Sequence, residues 1–288
     1  VRTLGIDIGG TSVKVALRDG ALTNTSRSEQ YRYPDRSSLI DALRSALSLI
    51  DSSIDSSVPL GICLPGRLNE SETAVERSLN LPCLEGWLFD DLLRSVLGFI
   101  PTSFRVVSDV HATTHDIVRA QGLEGRVAVL AIGTGVGLGV YEHGQMCSIG
   151  SRGTGHIGQI DVGRIGEADV VGPDGAINTL ESYIGLPAWR SRLGDTSEEE
   201  LLRCMKSLPP EDPSLRALVH AMRVMHAIYV PDTIVLAGGV GLALQPSGEA
   251  IRDRVNEGLT SLANPSWSLV FADSLYHAAS GAAMLALD

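Results

Sequence analysis

Gly5-Ile6-Asp7-Ile8-Gly9-Gly10-Thr11-Ser12-Val13-Lys14-Val15-Ala16-Leu17 reads as a strand, a two-glycine turn and a returning strand. A carboxylate stands just before the turn and a hydroxyl just after it. Asp7 lies among apolar neighbours, where an unpaired charge is costly unless a cation or hydrogen bonds compensate it. Gly9 and Gly10 can take backbone angles closed to other residues and let a ligand approach the main chain. Clustered backbone N–H groups in such a turn form an anion-binding concavity. The same stretch is also compatible with an ordinary hairpin whose glycines only serve the turn.

Outward from that turn, hydrophobic periodicity lays out an alternating pattern. Residues 3–8, 11–17 and 21–31 read as a three-strand meander. Leu39, Ile40, Leu43, Leu47 and Ile50 share one face of a helix expected over 37–50 behind a serine cap. A buried strand runs from Val58 to Leu64, a helix over 88–98, and a strand from Phe104 to Val107 that ends at Ser108-Asp109. The second half opens in the same manner: a strand from Arg126 to Ile132, a glycine turn from Gly133 to Gly137, and a returning strand from Leu138 to Tyr141. A Gly-rich run over 145–162 follows, then helices near 178–185, 197–207 and 214–229. Thr233 to Ala237 is a buried strand leading into Gly238-Gly239-Val240-Gly241; after it come a helix, the strand Leu269–Phe271 and a closing small-residue helix over 277–287. The pseudo-repeat predicts two related α/β domains around a central cleft, 1–109 and 110–276, with 277–288 packing back on the first.

Composition narrows the function. The 288 residues are 44% hydrophobic, enough for substantial cores, and no segment is long and apolar enough to span a bilayer. Residue 1 leads straight into strand pattern without a charged and apolar leader, so a cytoplasmic location is expected. The net charge of −11 argues against a nucleic-acid partner, since phosphate backbones attract Lys/Arg surfaces. Cys63, Cys83, Cys147 and Cys204 show no paired spacing that suggests a metal knuckle or a disulfide framework.

Three glycine turns thus stand at the ends of buried strands: Gly9-Gly10-Thr11, Gly133-Thr134-Gly135-Val136-Gly137 and Gly238-Gly239. Common phosphate readers fail. Neither lysine follows a glycine, as a Walker A loop requires; at the second turn Gly133 and Gly135 are followed by Leu138 where a GxGxxG needs its last glycine, and no GxSxG occurs. Two hairpin turns plus one strand-to-helix turn instead resemble the actin/Hsp70/hexokinase ATPase superfamily, and within it the ROK family of bacterial sugar kinases. Asp7 to Lys14 is similar to that family's first phosphate loop, Gly133 to Gly139 to the second, and Ile234 to Val240 to its adenosine motif. Asn80-Leu-Pro with Trp87 resembles the sugar-side loop, Ser108-Asp109 falls where the family has Asn-Asp, and Leu180-Glu181-Ser182-Tyr183 is similar to its Leu-Glu-Ala-Tyr. Ser280-Gly281-Ala-Ala matches its C-terminal helix, so the likeness runs in order along nearly the whole chain.

The resemblance implies two ribonuclease-H-like domains and transfer of the γ-phosphoryl group of MgATP to a hydroxyl of a hexose or amino sugar. Asp109 is the implied base, because a sugar hydroxyl attacks only once a carboxylate accepts its proton; an aspartate there equally suits a helix N-cap. Asp7 would hold Mg²⁺ through water. Gly9, Gly10, Thr11, Gly133, Thr134, Gly135, Gly137, Gly238 and Gly239 would cradle the nucleotide. Lys14 would add positive charge there, although alternation puts it opposite Val13, Val15 and Leu17, where a solvated lysine is equally expected. Gly66, Asn80, Ser108, His156, Gln159 and Glu181 would face the sugar, Glu181 having an exposed helix glutamate as its bland alternative.

The acceptor side departs from the family pattern. The usual Gly-Glu-Ile-Gly-His appears as Gly155-His156-Ile157-Gly158-Gln159, and residues 169–180 hold no cysteine, so the family's structural zinc is not expected. His156, Gln159 and Ser108 place glucose itself in doubt and leave open a catalytically silent sugar sensor. His111 and His115, four apart on a helix, can present two metal ligands, but packing explains them as well. ROK relatives are often dimers, so a homodimer is the assembly the resemblance allows, with sugar and ATP as small-molecule partners and neither nucleic acid nor membrane.

Overall fold

Six of the seven residues of β1 (Arg2–Ile8) are buried, because this strand runs through the middle of a sheet covered on both faces. The fold is seen in a computed structural model that describes residues 1–50, 54–149, 153–172, 175–194 and 196–287. β1 turns through Gly9–Ser12 into antiparallel β2 (Val13–Asp19), which pairs with β3 (Leu22–Arg27). Next come α1 (Arg36–Ser48), β4 (Leu60–Leu64), the short pair β5 (Arg67–Leu68) and β6 (Val75–Arg77), α2 (Phe89–Leu97), β7 (Phe104–Ser108) and α3 (Asp109–Ala120). β1, β4 and β7 are parallel, giving the sheet order β3-β2-β1-β4-β7.

The second sheet repeats this plan. β8 (Val127–Ile132) and β9 (Val136–Glu142) form a hairpin extended by β10 (Gln145–Met146). α4 (Leu180–Ile184), α5 (Leu186–Leu193), α6 (Glu198–Met205) and α7 (Pro213–Tyr229) lead to β11 (Thr233–Ala237), then α8 (Gly238–Ala243), α9 (Gly248–Glu257) and β12 (Ser268–Phe271). The order β10-β9-β8-β11-β12, with β8, β11 and β12 parallel, copies the first sheet strand for strand. Two mixed five-stranded sheets with helices are the α/β fold expected from the pseudo-repeat.

The chain divides into two compact units: Val1–Asp116 with everything from Tyr276 onward, and Ile117–Leu275, the boundary falling inside α3. The closing helix, α10 (His277–Leu285), belongs to the first unit and packs on β1, β2 and β4. Its run of small residues has a steric cause. A Cβ on Gly5 would stand 1.9 Å from the Ala279 carbonyl oxygen, and one on Gly61 1.8 Å from that of Ala282. The helix backbone therefore rests directly on the sheet, where only glycine leaves room. At its start, His277 Nδ1 lies 2.7 Å from Asp116 Oδ2, and Arg18 lies 3.6 Å from the other oxygen of that carboxylate.

Local details differ from the sequence reading. The third strand stops at Arg27, and residues 28–31 cross over the first glycine turn instead. The helix expected over 178–185 ends at Ile184, and a separate helix, α5, follows with Pro187 in its first turn. Proline fits there because the first helical N–H groups have no partner to lose. Of the Gly-rich run over 145–162, residues 150–152 lie outside the described residues, as do 173–174 of the cysteine-free stretch.

Substituting Gly61 by Ala is expected to cost about 3 kcal/mol or more, since the added carbon meets backbone and no side chain can rotate away. Urea unfolding of Gly61→Ala measures it; a change in stability too small to resolve would mean α10 sits less tightly than its contacts indicate.

Candidate active site

The face of the first sheet under α10 carries Thr3, Gly5 and Asp7 on β1, each opposite Arg18, Ala16 and Lys14 on β2. Lys14 thus faces Asp7 across the strand pair, its Nζ 3.0 Å from Asp7 Oδ2. Alternation put Lys14 on the correct side, but α10 covers much of that side, so it is a counter-ion and not a solvated lysine. Cys63, the parallel partner of Asp7 on β4, places Sγ 3.7 Å from the other carboxylate oxygen and 3.4 Å from the Ala278 carbonyl. Burial and the Asp7 charge push this thiol well above its ordinary value, so it stays protonated.

Asp109 begins α3 directly after β7, two strand spacings from Asp7, about 10 Å of backbone. The N-capping role falls elsewhere: the Ser108 hydroxyl accepts the His111 amide at 3.2 Å. Asp109 Oδ1 accepts the adjacent Val110 amide at 2.8 Å. Its carboxyl is pushed up to about 6, first by burial and then by the charge of Asp7, with Lys14 opposing. The charge of Asp7 raising the proton affinity of Asp109 is an arrangement that suits an added hard cation, and Mg²⁺ binds through one or two carboxylates while keeping several waters. Among the described residues, no group of three His, Cys, Asp or Glu is placed to hold a metal ion, His111 and His115 included.

The first glycine turn is tightly closed. Gly9 N donates to Ser12 O at 3.1 Å, Tyr31 N to Thr11 O at 2.9 Å, and the Tyr31 hydroxyl to Gly9 O at 2.5 Å. Arg27 Nε donates to the Ser12 hydroxyl, and Val13 N to the Ser28 hydroxyl. Asp7, Gly9, Gly10, Thr11, Lys14 and Asp109 therefore share the end of the first sheet where its parallel strands terminate, the usual ligand edge of such sheets. Gly66 (φ +126°) lies against Arg77 and Ser78, and Asn80 is partly exposed ahead of the turn Pro82–Leu84.

In the second unit, Gly133–Gly135 form the β8–β9 turn, with Gly133 N donating to Gly135 O. Glu181 Oε2 accepts the Val136 amide at 2.9 Å, and Leu186 N donates to Gly133 O. Glu181, read as a sugar ligand or an exposed helix residue, thus braces the turn that holds Thr134. Gly238 (φ +77°) opens α8, and a Cβ there would stand 2.4 Å from Ile132 O, which explains the glycine. Gly239 faces Leu202, while His156 and Gln159 are exposed about a single 3₁₀ turn. Two cavities of about 270 and 600 Å³ also lie in this unit, lined by none of these residues. The groups the sequence reading passed over are Tyr31, Cys63 and the pair Asp116–His277; Tyr31 left only a faint signal, as one of two tyrosines in a polar stretch.

Comparison with known proteins places this arrangement. The chain is 26% identical to kanosamine kinase of Amycolatopsis mediterranei, over 82% of its own length and 80% of that protein's. It is 24% identical to N-acetylmannosamine kinase of Vibrio cholerae serotype O1, over 91% and 90%. A ROK glucokinase from Streptomyces griseus, solved with glucose and AMPPNP, superposes with a TM-score of 0.70 at 19% identity, covering 99% of both chains. A ROK transcriptional regulator, homologous to the E. coli MLC protein, gives 0.70 at 16% identity over 99% of this chain and 78% of its own. At such identities the structures speak for the fold. The ROK family description itself matches residues 3–288, spanning both sheets and every glycine turn, and the chain belongs to the ROK family.

Proposed function

We propose that this chain is an ATP-dependent carbohydrate kinase that moves the γ-phosphoryl group of MgATP to a hydroxyl of a hexose or amino sugar, with Asp109 as general base. One observation carries the reading: the Asp109 carboxyl, freed from capping by Ser108, titrates at about 6 beside the Asp7–Lys14 pair. A base works best with its proton affinity near the working pH, and burial supplies that here. The kanosamine and N-acetylmannosamine kinases among its relatives favour an amino sugar as acceptor.

Asp7 would hold Mg²⁺ through water, with Lys14 keeping its carboxylate oriented. The ion, when bound, neutralises charge on the transferring phosphate. Asp109 accepts the acceptor's hydroxyl proton, which makes that oxygen nucleophilic. The turns at Gly9–Thr11 and Gly133–Gly137, with Gly238 and Gly239, supply backbone N–H groups for the phosphates, and Thr11 and Thr134 supply hydroxyls. Asn80, His156 and Gln159 face the sugar in this reading, and Glu181 braces the second glycine turn. A ring that can donate or accept at 156, in place of a fixed carboxylate, suits an acceptor other than glucose.

Asp109→Asn is expected to lower kcat by about 10²–10⁴-fold while MgADP binding persists. ADP release over a panel of monosaccharides and amino sugars measures it. Full turnover in the variant would remove Asp109 from its role, and no sugar-dependent release by the wild type would favour the silent sensor. Asp109 acts only when ionised, so kcat should fall as the pH drops through about 6. The linkage has the opposite sign. Asp109 binds its proton more tightly folded than unfolded, so stability declines as pH rises from about 4 to 6, and Asp109→Asn should melt higher at pH 8 with the gain fading in acid.

Lys14→Met removes a charge that favours ionised Asp109. Its pH–rate midpoint should move above that of the wild type, with activity lost more at pH 6.5 than at pH 8. An unshifted midpoint would show that Lys14 does not act on Asp109.

A further inference from the structure

We propose that Tyr31 is a positioning residue for phosphoryl transfer: it fixes the Gly9–Ser12 turn in the shape that presents backbone N–H groups to the nucleotide's phosphates. The inference rests on the kinase reading and adds to it a residue outside the resemblance.

A glycine turn is permissive, and that freedom works against binding, since a phosphate gains most from donors already aligned. A four-residue turn also carries carbonyl oxygens, which repel an anion if they swing toward it. Both hazards are met from residues 27–31. The Tyr31 hydroxyl donates to Gly9 O at 2.5 Å, and its amide donates to Thr11 O at 2.9 Å. The one residue therefore takes the carbonyls on both sides of Gly10 and holds them away from the mouth of the turn. Gly9 N is spent on Ser12 O, and no hydrogen bond among the described residues uses the Gly10 or Thr11 amides. These are the donors left for a ligand.

The rest of the segment anchors Tyr31. Arg27 Nε bonds the Ser12 hydroxyl, Ser28 Oγ accepts the Val13 amide, and Ser28 N donates to Val13 O. Tyr31 is largely buried, and burial together with the charge of Asp7 raises its phenol far above the ordinary value. The hydroxyl thus remains a donor across the accessible pH range. Since that hydroxyl is already given to Gly9, Tyr31 is not a phosphate ligand, and its effect is transmitted through the turn.

Tyr31→Phe keeps the ring and the amide bond to Thr11 and removes only the hydroxyl. Titration calorimetry with MgADP, steady-state kinetics and amide exchange on residues 8–13 form the test. The expected result is a Kd for MgADP and a KM for ATP raised roughly 3- to 10-fold, about one hydrogen bond's worth. The sugar KM should stay unchanged, and exchange at Gly10 and Thr11 should be faster without ligand. Ser28→Ala, which loosens the segment at its other end, is expected to change the same quantities in the same direction and serves if Tyr31→Phe folds poorly. Unchanged MgADP affinity and unchanged exchange in a folded Tyr31→Phe would overturn the role of Tyr31 and leave the kinase reading standing. Equal losses for sugar and nucleotide would likewise overturn it, marking Tyr31 as merely structural. Wild-type protein that binds no MgADP would overturn the kinase reading itself.

Discussion

Two carboxylates at one end of the first sheet set the terms for everything around them. Asp7 is almost fully buried on the side of the sheet that α10 covers, where a lone negative charge is untenable. The cross-strand register solves this by placing Lys14 directly opposite, and Cys63, protonated because of the same burial, occupies the remaining oxygen. Asp109 forms no ion pair among the described residues, and burial followed by the charge of Asp7 raises its proton affinity. Asp7 has an ion-pair partner while the Asp109 carboxyl is pushed up to about 6, so the two carboxylates stand in different environments.

The steric arrangement serves the electrostatic one. Glycine at positions 5 and 61 lets a helix backbone lie on the sheet, and alanine-rich α10 fills the gap without long side chains. Because the helix lies so low, its first turn reaches Cys63 through Ala278, beside Asp7. A bulkier seat would lift α10, expose the carboxylate to water and weaken its hold on Lys14.

Much of this was legible in the sequence, for identifiable reasons. Buried strands announce themselves as apolar runs, so both hairpins and the strands ending at Ser108 and Ala237 could be read, and the repeated strand–turn–strand pattern gave the doubled sheet. The small-residue helix was equally plain. What escaped depended on tertiary pairing. Alternation assigned Lys14 a face but could not say that a helix from the far end of the chain covers it. Ser108 looked like a shortened sugar contact, and only the geometry shows it capping α3 and freeing Asp109. Glu181 was placed on the right helix, yet its bond to Val136 joins segments 45 residues apart. Tyr31 bonds back over 22 residues to Gly9, a link no local pattern encodes. Helix α5 was missed although Pro187 in its first turn is a recognised start signal.

The placement of α10 has a bearing on how the chain matures at the ribosome. Domains generally fold as units in the order they emerge. Here the first unit is left without the helix that covers β1 and β4 until residues 277–285 have been made, after Ile117–Leu275 has emerged as one uninterrupted stretch. β1 and β4 are therefore sealed only after the whole of the second unit has been made. Until then the glycine-lined trough and the Asp7 carboxylate stand open to water, and the nascent N-terminal half is the portion most in need of protection from aggregation.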